Sequence, residues 1–125
     1  MPNVEVICFR EDDGTVPVLD WLLKLKPKAQ EKCMTRLDRL GALGHELRRP
    51  EAEYLRDGIH ELRIGFEHVN YRILYFFHGR DAVVVSHGIM KERAVPPIEI
   101  ERAIRRKAMY NADPGWHGLR MERDE

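Results

Sequence analysis

At 125 residues the chain is long enough for one domain with its own core, since single domains commonly run to about 100–150 residues. Four Phe, four Tyr and two Trp within a 43% hydrophobic composition exclude a disordered chain. Lysine plus arginine equal aspartate plus glutamate at 21 each, which excludes a general polycation that coats nucleic acid.

The charge is nevertheless polarised: residues 86–110 carry a net +3 and residues 111–125 a net −2. Cys8 and Cys33 stand alone, outside any CxxC or Cys/His cluster, so neither a disulfide scaffold nor a zinc site is expected. The N-terminus lacks the pattern of a signal peptide, and the longest apolar run, Ile73 to Phe77, is too short to span a membrane. These features imply a cytoplasmic protein with no membrane contact.

Val4 to Phe9 reads as a strand with apolar residues on both sides. Glu11-Asp12-Asp13-Gly14 is a turn, Thr15 a candidate N-cap, and Val18, Leu19, Leu22, Leu23 and Leu25 mark a short amphipathic helix. Pro27 opens a second helix, in which Ala29, Cys33, Leu37 and Leu40 share one face and Gly41 and Gly44 mark the end. His45 to Gly58 reads as polar and irregular.

From Ile59 the period changes to two. His60, Leu62, Ile64 and Phe66 face one way, against Ile59, Glu61 and Arg63. Glu67-His68 and His78-Gly79-Arg80-Asp81 are turns, so Val69–His78 and Ala82–Ile89 complete a three-stranded antiparallel meander. Ile98 to Tyr110 is a helix with an Ile100, Ala103, Ile104, Ala108 stripe. Arg102, Arg105 and Arg106 lie off that stripe, on a solvated face.

The order strand, helix, helix, three strands, helix predicts an α+β fold. The helical hairpin covers one face of the sheet, and the other is expected to stay open for a ligand. The domain is expected over residues 1–110. Residues 111–125 form a tail, docked or mobile.

No metal-ligand set, phosphate loop or nucleophile elbow is present, so no metal and no cofactor are expected. What stands out is Arg63 on the expected open face, Arg72 in mid-strand, His87 near the last strand's end, and Lys91 and Arg93 after it. Alternation does not fix where Arg72 points, because both sides of its strand are apolar. Arginine presents a planar fork of donors that fits phosphate, and histidine exchanges protons near neutral pH. Such groups converging on an open sheet suit a phosphodiester and its charged transition state. RNA supplies its own nucleophile, the 2′-hydroxyl.

Three stretches carry a resemblance. They are Tyr54-Leu55-Arg56-Asp57-Gly58-Ile59-His60-Glu61-Leu62-Arg63, Asn70-Tyr71-Arg72-Ile73-Leu74-Tyr75-Phe76-Phe77, and His87-Gly88-Ile89-Met90-Lys91-Glu92-Arg93 followed by Pro96-Pro97-Ile98-Glu99-Ile100-Glu101-Arg102-Ala103. In this order they resemble the RelE/HigB toxin superfamily, in its phage-derived HigB-like branch, over about Val4 to Tyr110. The resemblance implies a RelE-like fold and the toxin of a type II toxin–antitoxin pair. It implies a metal-independent endonuclease that cuts mRNA on the ribosome, with a cognate antitoxin as partner. Residue by residue, Arg63 and Arg72 would hold the scissile phosphate, Lys91 would stabilise the leaving oxygen, and Arg93 would add charge. Glu92 stands at a position that is often a second lysine. Val95-Pro96-Pro97-Ile98 lacks the tyrosine acid/base of many members, which leaves that role to His87 or His60. A non-catalytic RNA- or protein-binding relative and a structural phage-type protein are the competing readings. The last predicts arginines that are scattered or internally paired.

Overall fold

Two tight turns with both central residues at positive φ organise the sheet. In the computed structural model, which describes residues 3–90 and 93–121, these are Asp57-Gly58 (φ 51° and 82°) and Glu67-His68 (φ 49° and 67°). Two-residue loops of this kind twist in the sense that antiparallel strands require. They join β2 (Ala52–Arg56) to β3 (Ile59–Phe66), and β3 to β4 (Val69–His78). A turn through Gly79 then leads into β5 (Ala82–Met90). On the far side β1 (Glu5–Phe9) pairs parallel with β5, and β6 (Gly118–Arg120) pairs antiparallel with β1. The order across the sheet is β2-β3-β4-β5-β1-β6.

Helices α1 (Pro17–Leu23) and α2 (Pro27–Leu43) cover the first face. Leu22, Cys33, Leu37 and Leu40 pack on Val6, Cys8, Leu62, Ile64, Ile73, Val83 and Val85. The recurrence of Ala29, Cys33, Leu37 and Leu40 at helical spacing is what turns α2 toward the sheet. Burial pushes the Cys8 thiol up to about 12 and the Cys33 thiol up to about 11, so both are inert core residues. The N-cap of α1 is Val16, without a side-chain cap. The Thr15 hydroxyl turns instead to Asp13 at 2.8 Å.

The fold is α+β and RelE-like, and it corrects two expectations. The second face is not left open: α3 (Pro97–Ala112) lays Ile100, Ala103 and Tyr110 over Phe9, Ile59, Leu74, Phe76 and Val84. The reason is in the strands themselves. The centres of β4 and β5 are buried on both sides, and apolar area left in water costs roughly 25 cal/mol per Å². The segment before Gly58 is not irregular throughout, because β2 forms there and makes a four-stranded meander. Its polar residues are those of an edge strand. Of the two readings of the tail, the structure shows the docked one: Gly118–Arg120 joins the sheet as β6. Asp113 accepts a hydrogen bond from the Trp116 backbone N–H at 3.3 Å and caps the short helix α4 (Pro114–His117). The His117 ring stacks on Phe9 with centroids 5.3 Å apart, its Nδ1–H donates to the Arg10 carbonyl at 2.7 Å, and β6 then covers the edge of β1.

One glycine is fixed by packing rather than by φ. Gly88 pairs with Ile73 and faces α1, where a Cβ would fall inside the Trp21 ring. Overpacking of this kind costs about 1–3 kcal/mol. Gly88→Ala should therefore lower the free energy of unfolding by that amount, read in urea as a lower midpoint at unchanged m-value. A midpoint equal to that of the wild type would show that Trp21 yields freely.

Candidate functional site

Arg63 and Arg72 sit directly opposite each other on β3 and β4. Both point to the second face: Arg63 because Leu62 and Ile64 face α2, Arg72 because it shares its side with Leu74 and Phe76. Burial by α3 ends near Ile59 and Leu74. The two arginines continue the same face toward Gly65 and Asn70, which are exposed.

Two like charges directly across a strand pair repel. Here one carboxylate lies between them. Glu61, buried, offers Oε2 to Arg63 Nε at 3.0 Å and Nη2 at 2.9 Å, and Oε1 to Arg72 Nε at 3.2 Å. Arg72 Nη1 also donates to the Tyr71 carbonyl at 3.0 Å. On β2, Glu53 stands opposite Glu61 and accepts from Arg63 Nη2 at 2.7 Å. Arg49 grips Glu53 from outside with two 2.9 Å hydrogen bonds. That doubled contact comes first among the causes that hold the Glu53 carboxyl below the usual carboxylate range. Arg49, Arg63 and Arg72 against Glu53 and Glu61 leave one positive charge in excess. The edge is tied to α2 as well, where Arg36 Nη1 donates to the Arg63 carbonyl at 2.6 Å and Arg39 bonds Glu51.

His87 lies one diagonal step from Arg72, since Arg72 pairs with Ile89 and Leu74 with His87. A bulge at Ser86 turns both Ser86 and His87 toward α3. Burial first, then the Arg106 guanidinium, pushes the His87 ring down to about 4, against the pull of Glu99. The neutral ring fits its partners in one way. Nε2–H donates to Glu99 Oε1 at 3.0 Å, and Nδ1 accepts from the Ser86 hydroxyl at 2.7 Å. Ser86 Oγ in turn accepts from Arg106 Nη1 at 3.4 Å. Arg102 Nη1 donates to the same Glu99 oxygen, Oε1, at 2.7 Å. Arg106 is therefore no part of a solvated face. It is buried and donates to Glu11 at 2.9 Å, while Arg102 and Arg105 stay exposed.

The remaining candidates fall elsewhere. Arg93 is exposed in the connector before α3, and Lys91 lies outside the described residues. His60 is on the first face, away from the arginines, stacked on Tyr75 with centroids 5.1 Å apart. Burial, with His45 nearby, pushes it down to about 4. Among the described residues no three His, Cys, Asp or Glu side chains form a metal-holding group, and no helix is long and apolar enough to cross a membrane. Glu61 was open to sequence as an ion-pair partner of Arg63, but Glu53, which accepts from the same arginine, was not singled out. The Asp-Gly turn at Asp57-Gly58 is the signal that would have placed β2 and brought Glu53 opposite Glu61.

The two depressed histidines make acid stability predictable. Between about pH 6.5 and 4 the unfolded chain takes up protons that folded His60 and His87 refuse. Stability should thus fall as pH drops through that window, by about 1.4 kcal/mol per pH unit for each group. His60→Phe, which keeps the stack on Tyr75, should flatten the fall in urea denaturation series. A slope equal to that of the wild type would remove His60 as a contributor.

The family described as phage derived protein Gp49-like (DUF891) matches residues 20–108. No curated protein matches the chain. The matched span contains Arg63, Arg72, His87, Lys91 and Arg93, while β1, α4 and β6 lie outside it.

Proposed function

Because the chain belongs to the phage-derived Gp49-like family, which is related to the RelE/HigB toxins, we propose that it is the toxin of a type II toxin–antitoxin pair and cuts mRNA on the ribosome without a metal. The observation that carries the reading is the convergence of Arg63 and Arg72 on one face, aligned by a shared carboxylate. In this reading the two guanidinium groups hold the non-bridging oxygens of a phosphodiester. The 2′-hydroxyl oxygen forms a bond to phosphorus as the bond to the 5′ oxygen breaks, and a 2′,3′-cyclic phosphate is left. Charge gathers on the phosphoryl oxygens in between, where fixed cationic donors are most effective.

Glu99 is the accessible end of the Ser86–His87–Glu99 chain, with its side chain 19% exposed against 8% for His87. It takes the hydroxyl proton, and His87 holds the carboxylate in place. Lys91 and Arg93 add positive charge beside the leaving oxygen. The protein works in the cytoplasm, and a cognate antitoxin restrains it.

Primer extension on a translated message tests the reading. New 5′ ends that require both ribosomes and this protein are expected. A folded sample that yields none would favour a non-catalytic relative, and the pairing of Arg63 with Glu53 and Glu61 and of Arg72 with Glu61 speaks for its structural, phage-type form.

A further inference from the structure

We propose that Glu61 is the positioning residue of this face: its single buried carboxylate fixes the spacing and orientation of Arg63 and Arg72 for a phosphodiester, while Glu53 competes with the phosphodiester for Arg63. This rests on the reading of the face as a phosphodiester site.

The two glutamates are chemically alike and stand opposite each other on neighbouring strands, but their placement differs. Glu61 is buried and shares its two oxygens between the two arginines, Oε2 to Arg63 and Oε1 to Arg72. It takes the Nε side of each guanidinium. Among the described residues neither Arg63 Nη1 nor Arg72 Nη2 makes a hydrogen bond. Those terminal nitrogens remain for a ligand, aimed by the carboxylate behind them. Without it, two guanidinium groups facing each other across β3 and β4 would splay apart. Glu53 sits on the edge strand, its side chain 26% exposed, and takes Arg63 Nη2 from the outer side. It stands where an incoming phosphate oxygen would.

The consequence runs against simple charge counting. Removing either glutamate makes the face more positive, and charge alone predicts tighter RNA binding from both. The geometry predicts opposite signs. Glu61→Gln should weaken binding by about tenfold, the scale of one charge-assisted contact that loses its alignment. Glu53→Gln should tighten binding, because it removes the outer of the two carboxylate charges on Arg63 Nη2 and leaves Glu61 in place.

The test is binding to ribosomes programmed with a 2′-O-methyl message, which cannot be cleaved, read by the fluorescence anisotropy of the labelled protein, together with the arginine Nε–Hε NMR signals of the free protein. In the wild type the Arg63 and Arg72 signals should be sharp and dispersed. In Glu61→Gln they should broaden toward free-arginine positions while those of Arg39 and Arg106 stay. Glu61→Asp keeps the charge but withdraws it by one methylene. It should shift both readouts the same way, and it serves if the glutamine variant fails to fold. Unchanged or tighter RNA binding by both Glu61 variants, with a wild type that binds normally, overturns the positioning role and leaves the RNA reading standing. A wild type that leaves the programmed ribosome unbound overturns the RNA reading itself, and with it this role.

Discussion

Arg72→Ala should lower RNA cleavage by about 10²–10³, the usual loss on removing one donor to a developing oxyanion, while the protein stays folded. The structure gives reasons for both halves. Arg72 supplies one of the two guanidinium groups that meet across β3 and β4, and its Nη2 makes no hydrogen bond among the described residues. Its removal leaves Glu61 with Arg63 as partner, so the buried carboxylate is not stranded. The apolar packing of β4 is carried by its neighbours on both faces, Tyr71, Ile73, Leu74, Tyr75 and Phe76. The check is primer extension on a translated message at matched concentrations, with near-UV circular dichroism to confirm folding. Cleavage at the wild-type rate by a folded variant would remove Arg72 from the site. Arg72→Lys is the informative companion, because it keeps the charge and loses the fork.

The largest expected loss of stability is at Phe76. Its ring is fully buried on the second face, opposite Val84, with the Tyr110 ring edge-on at 6.0 Å. Phe76→Ala should cost about 3–5 kcal/mol, a large part of the roughly 5–15 kcal/mol that holds a typical domain together. The loss comes from the missing transfer energy and from the cavity left between β4 and α3. A urea melt of the variant measures it. A cost below about 1 kcal/mol would mean that α3 collapses onto the sheet without the ring, against the close packing of native interiors. In the variant α3 should also loosen, and with it the hold of Glu99 on His87.

Strands β1, β3, β4 and β5 and helices α1 to α3 were legible because their apolar residues repeat at two or at about 3.6, and burial enforces both periods. β2 was not, because Glu53 and Arg56 make it look like a loop. An edge strand whose side chains serve ion pairs leaves no alternation to read. β6 is three residues long and exists through pairing with β1, a contact that no local pattern announces. The two apolar sides of β4 were visible, yet they were not turned into the conclusion that a helix must cover the second. Of the site, Arg63 and Arg72 were marked by their place in strands. Their common direction was not, since it follows from the register between β3 and β4. The neutral, enclosed state of His87 depends on Ser86, Arg106 and Glu99, which converge only in three dimensions.

The position of β1 bears on how the chain is made. Its two neighbours in the sheet, β5 and β6, are both drawn from the far end of the sequence. While the nascent chain emerges, Val6, Cys8 and Phe9 have nothing to pair with, whereas β2 to β5 close by successive hairpins between adjacent segments. The meander is therefore the segment that assembles during synthesis, and β1, which leaves the ribosome before it, waits longest to find its place.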